Sequence, residues 1–148
     1  MITVEALSSV GTCIAFSDVL PATEVIADYA ALTWIDWEPV TNFGDLGGVD
    51  EVSKVTPVCS GIVQKVHGPR DNGTQNLEAL WDRDHPAQLL VRTAYDQRDR
   101  VAVRLTLSDG HILYYVGIIT SASVTPGTAS DSLMIKADLE ITSPIIEV

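Results

Sequence analysis

The strongest constraint on this chain lies in residues 101–119. Val101, Val103, Leu105 and Leu107 alternate with Ala102, Arg104, Thr106 and Ser108. That period of two belongs to a strand with one face buried. Asp109-Gly110 follows, a turn pair that tolerates positive φ, and His111 to Ile119 (His-Ile-Leu-Tyr-Tyr-Val-Gly-Ile-Ile) forms a second apolar run. The pattern predicts a β-hairpin. Residues 132–142 alternate again through Leu133, Ile135, Ala137, Leu139 and Ile141, and should pair with the strand before them, across a polar stretch at 120–130 with a Pro126-Gly127 turn. The tail 142–148 carries Ile145, Ile146 and Val148, so it should dock on something.

Short strand-like runs also fill the first half. Thr12 to Phe16 is one. Thr33 to Val40, with Trp34, Ile35 and Trp37, reads as another whose aromatics reach the core. Val58 to His67 and Thr74 to Trp81 read as a hairpin around Gly68-Pro69-Arg70-Asp71-Asn72-Gly73, because Asn-Gly is a strong turn dipeptide. The Ala-rich stretch 23–32 is ambiguous. Residues 41–55, with Gly44, Gly47 and Gly48 among Asp45, Asp50 and Glu51, show no apolar period and read as one long loop, floppy or ordered against a neighbouring subunit. One helix is expected at about 84–95, with Asp84 as N-cap, Pro86 in the first turn, and Leu89, Leu90 and Ala94 at helical spacing. Many strands and one helix make a mainly β protein, a β-sandwich or barrel with one flanking helix. The 148 residues suit a single domain.

Charge narrows the function. Twenty acids face nine bases, a net charge of −11. Such a surface serves solubility and repels nucleic acid and anionic membranes; a DNA-gripping protein would show a basic patch. Met1-Ile2-Thr3-Val4-Glu5 lacks the features of a secretion signal. No apolar stretch approaches the ~20 residues of a membrane span. The expectation is synthesis in the cytoplasm and no membrane span.

Reactive constellations are not evident. His67, His85 and His111 show no metal-site spacing, no serine lies in a GxSxG elbow, and the Gly44–Gly48 segment has no P-loop lysine. Asp82-Arg83-Asp84-His85 reads as a solvated loop and helix cap, Asp96 and Asp99 as surface partners of neighbouring arginines, and Asn72-Gly73-Thr74 as a turn. Cys13 and Cys59 have no CxxC spacing and read as buried free thiols. No cofactor and no enzymatic activity are expected. The chain offers surfaces to partners, since open sheets leave edges that must be covered, charged or paired.

The order of elements carries a resemblance. A short strand follows Gly11-Thr12, then come the strand near Trp34, the long loop 41–55, the residues Lys65, Gly68, Asp71 and Gly73 of the expected hairpin, the helix after Asp84, and the Asp109-Gly110 turn. From about Gly11 to Ile141 the chain resembles the tail tube proteins of long-tailed (siphovirus-type) bacteriophages, a group related to the tube proteins of type VI secretion. The Ala-rich stretch 23–32 and Cys13 depart from that pattern.

The resemblance implies a virion tail protein that forms hexameric rings stacked into a tube. It implies that the loop residues Phe43, Gly44, Asp45, Leu46, Gly47, Gly48, Val49, Asp50 and Glu51 contact adjacent rings, as do an N-terminal arm (1–10) and a C-terminal arm (142–148). It also implies tape-measure, tail-terminator and baseplate proteins as partners, and a lumen through which DNA passes without specific binding. Carboxylates facing that lumen would leave no phosphate contact to break as DNA advances. Two other readings stay open: another virion part such as a tail terminator or capsid decoration protein, and a small ligand-binding barrel or modest hydrolase.

Overall fold

The computed structural model describes Ala6 and residues 8–148. The expected N-terminal arm therefore lies largely outside the described residues. In chain order the elements are β1 (Cys13–Ser17), α1 (Ile26–Ala30), β2 (Ile35–Asp36), β3 (Val40–Asn42), β4 (Val49–Val55), β5 (Gln64–Asp71), β6 (Thr74–Leu80), α2 (Pro86–Gln97), β7 (Arg100–Thr106), β8 (Ile112–Thr125), β9 (Met134–Ile141) and β10 (Ile146–Glu147). The fold is mainly β, as expected.

Chain length forces the main sheet to curl. Its strands run in the order β2-β1-β7-β8-β9-β6-β3, all antiparallel, so β2 and β3 stand at opposite ends. Laid flat, those ends would be about 29 Å apart at the usual spacing between strands. Yet only residues 37–39 separate Asp36 from Val40, and four extended steps reach about 14 Å. The sheet must roll until its ends approach. The crossing segment belongs to both ends: the Trp37 N–H donates to Ile14 O (2.9 Å), and Pro39 O accepts from the Leu80 N–H (3.0 Å). The stretch expected as one strand at 33–40 is thus two short strands joined by this crossing.

The period of two decides what faces inward. Val101, Val103 and Leu105 of β7, Gln75, Leu77 and Ala79 of β6, and Ile135, Ala137, Leu139 and Ile141 of β9 are all buried. α2 lies against this inner face through Ala87, Val91 and Ala94, with Leu90 half-buried. Trp37 completes this core, edge-on to Phe16 with ring centroids 5.7 Å apart. Leu89, expected on the helix's apolar face, is exposed. The N-cap is His85, whose Nδ1 accepts from the Ala87 N–H at 3.2 Å; Asp84 lies one residue too early, and its own N–H donates to Asp82 Oδ1. Arg98 ends the helix in the left-handed conformation.

A second, smaller cluster covers the outer side of β7 and β8. Tyr29 of α1 stacks on Tyr114 (5.1 Å), with Ala102, Val116, Leu32, Trp34 and Ile146 around them. The C-terminal tail docks on its own chain here: Ile146 pairs with Tyr114 and Glu147 with Leu113. β8 runs to Thr125, past the expected polar break, because the 117–125 stretch is held by β9 through a bulge near Ile119–Ser121. Both cysteines are exposed, against the expectation of burial: Cys13 heads β1, whose pattern buries only the residues after it, and Cys59 lies in the turn region beyond β4. The ion pairs among the described residues do not include Asp96 or Asp99.

Candidate interaction surface

β4 and β5 pair only with each other, as a separate two-stranded sheet. Together with the turn region 56–63 they form an arm that leaves the main sheet after β3 and returns to it at β6. This corrects two sequence readings. Residues 41–55 are not one loop: their second half is β4. The run 58–67 does not form a hairpin with 74–81: β5 pairs with β4, whereas β6 lies between β9 and β3. Asn72-Gly73 is a junction between two sheets. The alternation of β6 matches the core side of β9, while the aliphatics of 58–66 have no core to face: Val58, Ile62, Val63 and Val66 are exposed, as are Val49, Val52 and Val55.

The structure brings together the two groups of residues singled out in the sequence. Val49 pairs with Asp71 and Asp50 with Arg70, and the register shifts before Val52 pairs with His67. Glu51 lies beside Gly68 at that irregularity, and its carbonyl would meet a Cβ on Gly68 at 3.1 Å. Lys65 stands apart from the 43–51 group, opposite Lys54 near the tip.

The root of the arm is clamped. Phe43 and Leu46 pack against the main core. The Phe43 carbonyl accepts from Gln75 Nε2 at 2.8 Å, and Gln75 Oε1 accepts from the buried Tyr115 hydroxyl; burial pushes that phenol's pKa upward, so it remains a donor. This buried polar pair was not visible in the sequence, where Gln75 sits at an ordinary inward position. Gly44 has φ +67°, and a Cβ there would lie 2.5 Å from Asn76 O. Gly73 has φ +95°, and its Cβ would strike the Gly47 carbonyl; the Gly73 N–H donates to Asp71 Oδ1 at 2.9 Å. Gly44→Ala and Gly73→Ala should each cost at least ~1–2 kcal/mol from the backbone conformation alone. The loss should appear first as faster amide exchange in residues 43–51. Unchanged exchange there would show that the arm is not held at these glycines.

Asp50 ties the arm's own strands. Its carboxylate accepts from Arg70 Nε (2.5 Å) and Nη2 (3.1 Å), with His67 Nδ1 at 3.5 Å. The hydrogen-bonding Arg70 guanidinium holds the carboxyl below the usual carboxylate range. A lowered folded pKa contributes order that is present above the unfolded value, about 3.9 for Asp, and is lost as pH falls through the folded value. Acidification below about pH 4 should therefore loosen residues 49–51 and 67–71 before the main sheet, and Arg70→Ala should remove that dependence. Amide exchange across an acid series reads both.

Among the described residues, nothing around the arm resembles a reaction centre. The Asp50–His67–Arg70 group lies at the surface, with Asp50 half-buried and its two partners exposed, and is knitted across a hairpin; no serine or cysteine belongs to it. Among the described residues, no group of three or more His, Cys, Asp or Glu is placed to hold a metal ion, and no helix is long and apolar enough to cross a membrane.

No protein-family model and no curated protein matches the chain. Solved structures do share its fold. A chain in the six-fold symmetrised cryo-EM baseplate of the anti-feeding prophage is similar with a TM-score of 0.72 at 12% identity, over 99% of this chain and 97% of that one. A chain in the tail of an empty gene transfer agent particle, refined helically with C6 symmetry, gives 0.69 at 10% identity, over 97% and 99%. The SPP1 tail tube, from a hybrid of solid-state NMR and cryo-EM, gives 0.59 at 10% identity, over 92% and 75%.

Proposed function

We propose that this chain is a structural subunit of a phage-type tail that assembles with copies of itself into hexameric rings stacked as a tube for DNA passage. The observation that carries this reading is the arm: two strands and a turn region lined with exposed aliphatics, rooted firmly in a sheet that does not use them. Apolar surface of that extent on an acidic chain calls for a partner. The full-length likeness to chains in six-fold symmetric tail assemblies supports identical copies as that partner. So does the long β8, whose 119–125 stretch is paired by β9 on one side and lies beyond the reach of β7 on the other.

The outward face of β6 and β9 supports a channel wall. Thr74 pairs with Glu140, Asn76 with Asp138 and Glu78 with Lys136, so three carboxylates and one ammonium share this face. A passing polyanion meets net repulsion there and no basic patch that must be released. In this reading the tape-measure protein occupies the same lumen during assembly, and terminator and baseplate proteins meet the tube ends. Subunits made in the host cytoplasm end in the virion tail.

Electron microscopy of the concentrated protein over a range of salt concentrations tests the proposal: stacked rings or tubes are expected, and particles that remain monomeric throughout would sink it. A second reading, a single-ring position at one end of the tail, is favoured by the baseplate neighbour. Rings that close but never stack would select it.

A further inference from the structure

The arm differs from the rest of the molecule in charge as well as exposure. Residues 52–67 contain Lys54, Lys65 and His67 and no acid. The chain carries −11 and the two lysines contribute +2, which leaves −13 on the remainder. Lys54 and Lys65 are direct partners across the hairpin, so two like charges share one face. Among the described residues neither lysine has a carboxylate within ion-pair distance. Beyond them the tip presents Val58, fully exposed at 101%, and Ile62 at 69%. The tip is therefore apolar and its base cationic, and both properties are unsatisfied within one copy.

The body offers a matching seat. A groove of about 600 Å³ runs between α2 and the turn after β1. Ile35 and Leu90 line it, Leu20 and Leu89 stand half-exposed along it, and Asp18 and Asp99 are its acids, with Arg100 its one base. Leu89 projects away from the helix's inward face of Ala87, Val91 and Ala94 and stands half-exposed at this groove. The arm tip is exposed in its own copy, so its own groove is not its seat.

We infer that the arm tip of one copy docks in the α2 groove of a second copy, with Val58 and Ile62 against Leu20 and Leu89 and with Lys54 and Lys65 facing Asp18 and Asp99. This deepens the self-assembly reading and rests on it. Two different patches are joined, so the contact is heterologous and propagates into a closed ring or an open stack. The pairing of a cationic apolar tip with an acidic groove selects a second copy of this chain over a nucleic acid, which the body repels.

The full-length Cys13→Ser protein keeps Cys59, at the arm tip, as its one thiol. Labelled there with a short maleimide photo-crosslinker, and mixed as heavy- and normal-isotope copies, it should give intermolecular links from Cys59 to residues 18–20 and 89–97. Lys54→Glu with Lys65→Glu should abolish those links and weaken association at least about tenfold, and adding Asp18→Lys with Asp99→Lys should restore both; circular dichroism confirms that each variant is folded. Links to other regions within assembled particles, or no intermolecular links at all, would overturn the docking. Groove links in dimers that form neither rings nor tubes would support the docking while refuting the tube.

Discussion

Replacing Ser53–Val66 with the dipeptide Asn-Gly is expected to leave the fold and its thermal stability in place while abolishing self-assembly. Val52 and His67 are direct cross-strand partners, so a two-residue turn can close the shortened hairpin without moving its root. None of the removed residues belongs to either buried cluster. The clamp at Phe43, Gly44 and Gly73 and the Asp50–Arg70 pair all remain. Stability should therefore change by about 0.5 kcal/mol or less, as for surface changes that touch no core feature, and the melting temperature by no more than ~4 °C. Assembly should respond very differently. The change removes Val55, Val58, Ile62, Val63 and Val66, all exposed in one copy. Burying an aliphatic side chain contributes ~1.5–3 kcal/mol, so losing even two or three of them from an interface should weaken association by about a hundredfold or more. Calorimetry beside sedimentation velocity separates the two effects. Rings or tubes forming at the same concentration as the parent would remove the arm from the interface.

How far the fold could be read in advance depended on whether a segment faces a core. β7 and β9 alternate because one face of each meets the same apolar interior, whereas the start of β8 reads as an unbroken apolar run because clusters cover both of its faces; the hairpins follow from those patterns. The arm obeys no such rule. In Val49–Val55 the apolar residues Val49, Val52 and Val55 are spaced by three, and both faces of the hairpin are exposed. Periodicity reports burial, so a strand buried only by another molecule gives no single-chain signal. The same cause misdirected the partner of β5: Asn72-Gly73 is good turn chemistry, but its geometry serves the passage between two sheets, with Gly73 pressed against Gly47. Proximity of Phe43–Glu51 to Asp71 and Gly73 depended on that unseen pairing. The His85 cap was missed because Asp is the commoner cap and stands next to it. The closure of the sheet was hidden in three residues, 37–39, which carry no pattern at all.

Those three residues lead to the largest stability effect. Trp37→Ala should destabilise the fold by ~3–5 kcal/mol, the range for removing a buried aromatic from a packed core. Trp37 is 1% exposed and lies among the residues of the main cluster, edge-on to Phe16. Its backbone hydrogen-bonds to β1 while the next residues bring the chain to β6, so its side chain fills the place where the two ends of the sheet approach. Trp34→Ala provides the contrast. That ring is half-buried in the smaller outer cluster, with Nε1 donating to Tyr29 O and Arg104 above its face, and its loss should cost distinctly less. Trp37→Phe separates shape from polarity: the indole Nε1 of Trp37 has no partner within the described residues, so removing it forfeits no hydrogen bond and the penalty should fall below that of the alanine variant. Urea unfolding with equal m-values across the set is the measurement. A Trp37→Ala penalty under about 1 kcal/mol, or one no larger than that of Trp34→Ala, would mean that the two ends of the sheet are not joined through this residue.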